Sequence, residues 1–576
     1  MSSVPVDDQG RHELILRVVH QRDRFCYRYT FGGAQQYVAP VIRVHRGERF
    51  AIRIVNELRG PASGATMAAS ALPPCMPMQM GRREARPFSG YLNHTQYYER
   101  NSAMPPTDVN LHLHGFQGPA SQENVFLSTL STPAHACEFN ITIPQTQPVG
   151  TYLYHPHAHG MAEEEIAGGL SGMWIVEPDT PQIAPENEHE VVLRYQVPAI
   201  SDDDRFMPPL NVFARAAFMH ELTQKDPKPV RYDPFNPPAW PSTWPTRAAG
   251  YTMPACGILA ESLLSVNGGD GSARLTVPAN EPQLLRILNA TADSFEYIHL
   301  HDAAGNDRPM QIVGRDGVPI SGDSAHPFSR FIAMSGIDLV PTNRADVLLT
   351  LKPGETLTLS TRPNCFSAFD EYQLAHDLLT ITAGPPAASP LSIATAPLTP
   401  QESRTVELLR YARAHASAIR KRAFTYTEYP VPNIGKRGAH PEFYITQTSE
   451  LNFHERPFHA TYAKNALVPQ PDVVVKRGSI EEWYLFNTTL EPHTFHMHQM
   501  AFVAEDELPQ PVMLDTVLVP VGKMLPNKAD PDYPLIKPGL TRILLDFRNV
   551  PRGTFAFHCH MVFHEDRGMM RVIKVI

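Results

Sequence analysis

The chain is 576 residues long, with 56 Pro, 34 Gly and a formal net charge of −9. Its scattered negative charge argues against nucleic acid as a partner, and no apolar run is long enough to span a membrane. The length implies more than one domain. The Pro and Gly density, with few long helical periodicities, punctuates many short strands and points to an all-β protein.

The first strand-and-turn unit reads VHRGERFAIRIVN and ends at Asn56. It returns as TVPANEPQLLRILN, ending at Asn289, and as VKRGSIEEWYLFN, ending at Asn487. In each copy a turn residue (Gly47, Asn280 or Gly478) precedes the Asn by nine residues, with an apolar strand between. Copies of one unit at spacings of 233 and 198 residues predict three related domains. They are expected over 1–180, closing at GMWIVEP, over 181–384, closing at LLTITAG, and over 403–576. A Pro/Ala/Ser-rich linker fills 385–402. Two insertions interrupt this pattern. Residues 59–106 carry Cys75-Met76-Pro77-Met78-Gln79-Met80, and the soft sulfurs of Cys75, Met76, Met78 and Met80 could bind cuprous copper. A loop packing its Met residues on the surface is the other reading. Residues 200–254, rich in Pro with Trp240 and Trp244, are expected to cover part of the second domain.

Four histidine pairs follow in chain order: His112-Leu113-His114, His155-Pro156-His157, His496-Met497-His498 and His558-Cys559-His560. Along a strand, residues i and i+2 share a face, so each pair offers two imidazoles to one side. One such pair is weak evidence for a metal; four, one of them enclosing a cysteine, are strong. Cys559 faces the other way from its flanking histidines. His493 stands at the opposite parity from His496 and His498 and so joins the Cys559 side. With His564 and Met569 these make a thiolate, two imidazoles and a weak axial thioether, the ligand set of a blue type 1 copper. Met570 is the neighbouring alternative to Met569. His299-Leu300-His301 is a fifth pair with no Cys or further His nearby, and is read as a half-buried strand. His135 and His159 are read as surface or supporting residues. All ligands lie in the first and third domains. The middle domain therefore reads as a spacer, and the histidine cluster must form where the terminal domains meet.

This constellation resembles the multicopper oxidases, in their laccase-like bacterial three-domain form, over nearly the whole chain; the stretch HEDRGMM at 564–570 matches them closely. The resemblance implies three cupredoxin-like Greek-key β-barrel domains. It implies four copper ions: a type 1 ion on His493, Cys559, His564 and Met569, a type 2 ion on His112 and His496, and a type 3 pair on His114, His155, His157, His498, His558 and His560. A small-molecule or metal-ion reductant would give electrons near His493 or His564, whose ring edges are usually exposed in the family. O2 would be reduced to water at the cluster, with Glu565 and Glu123 handling protons. Thr494 stands where the family usually has Pro, and its hydroxyl could alter hydrogen bonding around Cys559 or His493. A copper-tolerance protein or cuprous oxidase using the Met-rich loop is the alternative; a copper nitrite reductase would not need eight paired imidazoles. Beyond Cys559 five cysteines remain, so one disulfide is possible without its partners being named. The protein is expected to be a monomer. With no visible export signal it is expected in the cytoplasm, or outside it if a leader has been trimmed.

Overall fold

The computed structural model describes residues 12–58 (save 22, 23 and 32), 76–77, 108–129, 136–196, 258–259, 263–269, 273–362, 371–372, 375–386, 393–400, 402–429, 442–447, 463, 466–489, 491–504, 510–525 and 535–576. It is built of β-sheet, with three cupredoxin-like barrels in succession. The repeated unit explains why. Gly47, Asn280 and Gly478 all adopt left-handed backbone, with φ of 82°, 61° and 92°. That conformation costs a glycine nothing and an asparagine little, so these residues reverse the chain into the next strand. The strands that follow are Arg49–Asn56, Pro282–Asn289 and Ile480–Asn487, and each pairs in parallel with an earlier strand of its own barrel: His12–Gln21, Glu188–Gln196 and Arg420–Tyr429.

The Asn that ends each unit is buried and does the same task three times. Its Oδ1 accepts the backbone N–H two residues on, from Leu58 at 3.1 Å, Thr291 at 3.1 Å and Thr489 at 2.8 Å. This side-chain turn stops the strand and aims the chain at the opposite sheet.

Each barrel encloses an apolar core. Leu16, Ile52, Leu113, Tyr152 and Trp174 fill the first. Leu193, Ile287, Leu300, Ile312 and Leu359 fill the second. Trp483, Phe495, Met497, Phe502, Phe557 and Cys559 lie in the third. Within the stretch read as a linker, Ala396–Pro397 pairs in parallel with Arg330–Phe331 and so extends the middle barrel's sheet. Ser403 then caps the helix Arg404–Ala414. No helix among the described residues is long and apolar enough to cross a membrane. Cys137 is disulfide-bonded, while Cys559 remains a free thiol.

Candidate metal centre

Four strands bring the histidine pairs together. His112–His114 pairs antiparallel with Gly150–His155, which sets His112 opposite His155. His493–Met497 pairs antiparallel with Gly553–His558, which sets His496 opposite His558. The first and third barrels meet at these strands, and all eight rings are buried.

The rings sort into compact triads. His157, His498 and His558 converge, with the Nε2 atoms of His157 and His498 3.1 and 3.0 Å from His558 Nε2. A second triad joins His114, His155 and His560, with His155 Nε2 and His560 Nε2 3.3 Å apart. His112 and His496 close the cluster beside His114. The fit to a metal shows in what each ring does with its two nitrogens. His112 Nδ1 meets the Glu123 carboxylate, His496 Nδ1 donates to the Asp515 carbonyl at 2.7 Å, and His114 Nε2 donates to the Asp515 carboxylate at 3.0 Å. The opposite nitrogens, His112 Nε2, His496 Nε2 and His114 Nδ1, are buried with no hydrogen-bond partner. A polar atom orphaned in the interior is costly, whereas a metal would satisfy all three at once. Burial, reinforced by the neighbouring imidazoles, pushes His112, His114, His496, His498 and His560 well below the ordinary histidine value, and takes His155 to about 3 and His157 to about 4. These seven rings are therefore neutral at pH 7, with lone pairs available for a metal.

On the far side of Cys559 lies a second, separate site. His493 Nδ1 and His564 Nδ1 are 3.1 Å apart, and each is 3.9 Å from Cys559 Sγ. Strand alternation does this. His493, Phe495 and Met497 share one face, the last two in the core cluster that holds Cys559, while His496 turns to the histidine cluster. Alternation also separates the two methionines. Met569 belongs to that same core cluster, whereas Met570 packs with Val125 and Phe126 on the other side. Burial pushes the Cys559 thiol up to about 12, so it takes a bound cation to make the thiolate.

Glu123 and Glu565 are both buried beside rings of the histidine cluster, and their surroundings push them in opposite directions. Glu123 accepts the Leu113 N–H at 2.6 Å and the Gln499 amide at 3.0 Å. Burial outweighs both and raises its carboxyl well above the usual range. Glu565 lies 3.2 Å from His558 Nδ1 and 3.4 Å from His157 Nε2. Burial again opposes ionisation, but the His558 and His157 rings prevail and hold the carboxyl down at about 2.

Other expectations fare differently. His299 donates to Asp307 and His301 bonds Ser360, on a half-buried strand apart from the triads. Of the sulfur-rich segment only Met76 is described, in a two-residue strand paired with Ser128; Cys75, Met78 and Met80 lie outside the described residues, as does His135. The exposed ring edges expected of the thiolate site are absent. His493 is 0 % and His564 3 % exposed. Tyr426 stacks on His493 and Phe443 on His564, with ring centroids 5.3 and 4.0 Å apart. Thr489 and Glu491 stand at the outer nitrogens, at 2.9 and 3.5 Å. Sequence reasoning also missed Asp515 and Gln499. An acid between the apolar strands Val512–Leu514 and Thr516–Val519 is a signal for the first. The second is visible only from its left-handed φ of 64°.

Comparison with known proteins gives the same picture. Multicopper oxidase family models match residues 99–181 and 440–576, the two stretches that carry the histidine pairs. A laccase from Bacillus stratosphericus is 22 % identical over 493 residues, covering 82 % of this chain and 81 % of its own. Among solved structures, the McoA multicopper oxidase of Aquifex aeolicus superposes with a TM-score of 0.57 at 14 % identity, covering 99 % of this chain and 98 % of its own. A Campylobacter jejuni multicopper oxidase described as a metallo-oxidase gives 0.54 at 16 % identity, over 100 % and 94 %. Family models on both histidine-bearing ends, a laccase relative along most of the length and a buried framework of neutral imidazoles and one cysteine agree: the chain belongs to the multicopper oxidases, copper-dependent oxidoreductases.

Proposed function

We propose that the framework holds one type 1, one type 2 and two type 3 copper ions. The chain would then couple four one-electron oxidations of a phenol- or aromatic-amine-like reductant to the reduction of O2 to two waters. The observation that carries this reading is the segment His558-Cys559-His560, whose cysteine belongs to one site and whose histidines belong to the two triads of the other. Bound copper would supply one-electron redox chemistry at the thiolate and collect electrons for oxygen at the cluster. The protein's own part is to join the two sites through three consecutive residues. Tyr426 and Phe443 cover the thiolate site and exclude water. Burial favours the protonated form of Glu123 beside His112, while the neighbouring rings favour the ionised form of Glu565 beside His157 and His558, a division suited to proton handling at one cluster.

The laccase relative supports an organic reductant. Oxidation of a metal ion such as Cu(I) is the second reading. It is favoured by the burial of both thiolate-site rings and by the Glu491 carboxylate, about 15 % exposed, beside His564. Reconstitution of the metal-free protein tests both. Four coppers per chain, and one O2 consumed per four electrons donated, are expected. Two coppers with nitrite turnover and no oxygen uptake would overturn the proposal. A panel of a phenol, an aromatic amine, Cu(I) and Fe(II) separates the reductants: faster turnover of the metal ions would favour the second reading.

A further inference from the structure

The middle barrel contributes no member to the histidine triads among the described residues, yet one of its side chains governs a residue that touches them. Arg344 begins the strand Arg344–Thr350 and is fully buried. Its guanidinium grips Asp515 of the third barrel with both prongs, Nη1 to Oδ1 at 2.9 Å and Nη2 to Oδ2 at 2.5 Å. Its Nε donates to the Thr151 carbonyl of the first barrel at 3.2 Å. The arginine is itself anchored. Its backbone N–H donates to Asp316 Oδ1 at 2.8 Å, and Asn343 Nδ2 bridges Asp316 and the Thr516 carbonyl at 2.9 and 3.0 Å. All three barrels meet at this one side chain.

The far end of the arrangement is His114. Asp515 Oδ1 lies 3.0 Å from its Nε2, while its Nδ1 is orphaned inside the cluster. A buried carboxylate without a cation would turn toward whatever polar group it could reach. The planar fork of an arginine instead fixes both oxygens at once, which a lysine cannot do. With Oδ1 fixed as acceptor, the His114 proton stays on Nε2 and its lone pair stays on Nδ1. We propose that Arg344 is a positioning residue for the oxygen-reducing cluster, acting through Asp515 on His114. The inference rests on the copper reading above.

Copper titration of the metal-free protein tests it, with filling of the thiolate site read from its blue absorption and filling of the cluster read from the remaining copper bound per chain. In Arg344→Met the thiolate site should fill as in the wild type, while the cluster binds copper about 10–100-fold more weakly. Arg344→Lys, which keeps the charge but loses the fork, should fall between. Equal weakening of both sites, or a lowered unfolding midpoint with unchanged cluster affinity, would overturn the proposal, since a mere brace between barrels does no more. Should Arg344→Met fail to fold, the lysine variant decides: wild-type cluster affinity there overturns it. A wild-type protein that fills only the thiolate site would instead refute the copper reading.

Discussion

Thr494 offers the sharpest single test of how the two sites are joined. Its backbone N–H donates to Cys559 Sγ at 3.4 Å. Its hydroxyl accepts the His560 N–H at 2.5 Å, which leaves its own proton directed at Cys559 Sγ, 3.7 Å away. A proline here would supply neither donor. Thr494→Val keeps the shape and the backbone donor and removes only the hydroxyl. Two effects follow. The His560 N–H is left buried and unpaired, which should cost about 1–3 kcal/mol of stability. The sulfur also loses a hydrogen bond that is stronger when the site is reduced and the sulfur carries more charge. A net bond of this kind contributes about 0.5–1.5 kcal/mol, and in a one-electron couple that shifts the potential by about 20–60 mV. The type 1 potential should therefore fall by this amount, because hydrogen bonding at the cysteine sulfur is one of the features that set it. A redox titration followed at the blue band measures the shift, and urea unfolding of the metal-free protein measures the stability. A potential that stays put or rises while stability drops would show that the hydroxyl serves only the His560 N–H.

Cys559→Ser should abolish the blue absorption while the cluster still binds copper; a variant that keeps its colour would remove Cys559 from the site. Met569→Leu should keep the colour and raise the potential, because a weak axial ligand is lost, whereas large loss of copper would give Met569 a stronger role. Glu565→Gln should retain all coppers but slow oxygen consumption by about 10²–10⁴-fold, and an unchanged rate across pH would mark it as structural. Glu123 has a raised pKa in the fold, so the folded chain keeps a proton that the unfolded chain releases above about pH 4.5. That makes wild-type metal-free protein lose stability relative to Glu123→Gln as pH rises from 5 to 7, by up to about 1.4 kcal/mol per pH unit. Paired urea titrations at the two pH values check this, and a gap that does not widen refutes it.

The histidine pairs were legible because strand alternation is a local rule: any i, i+2 pair on a strand faces one way, and Cys559 between His558 and His560 must face the other. The barrels were legible through the turn at Gly47, Asn280 and Gly478, where a short motif dictates a backbone sign. What the sequence hid is non-local. Arg344 lies 171 residues before Asp515, and Gln499 lies 376 residues after Glu123; nothing in either segment alone announces the bond. The covering of the thiolate site was hidden for the same reason. Tyr426 and Phe443 come from the strands Arg420–Tyr429 and Glu442–Gln447, which ordinary strand chemistry suffices to explain.

The cluster is shared between strands far apart in the chain, and this has a consequence in time. His157 and His558, whose ring nitrogens lie 3.1 Å apart, are separated by 401 residues. At roughly 5–20 residues per second of synthesis, the first barrel waits about 20–80 s for its partners. Throughout that interval a nascent chain displays His112, His114, His155 and His157 as half of a binding site. Such a half-site has no cysteine and no closing imidazoles to discriminate among divalent ions, so whichever ion is most available would occupy it. Loading thus depends on order, and zinc supplied during synthesis should lower the copper content of the purified protein, a deficit that metal analysis reads directly.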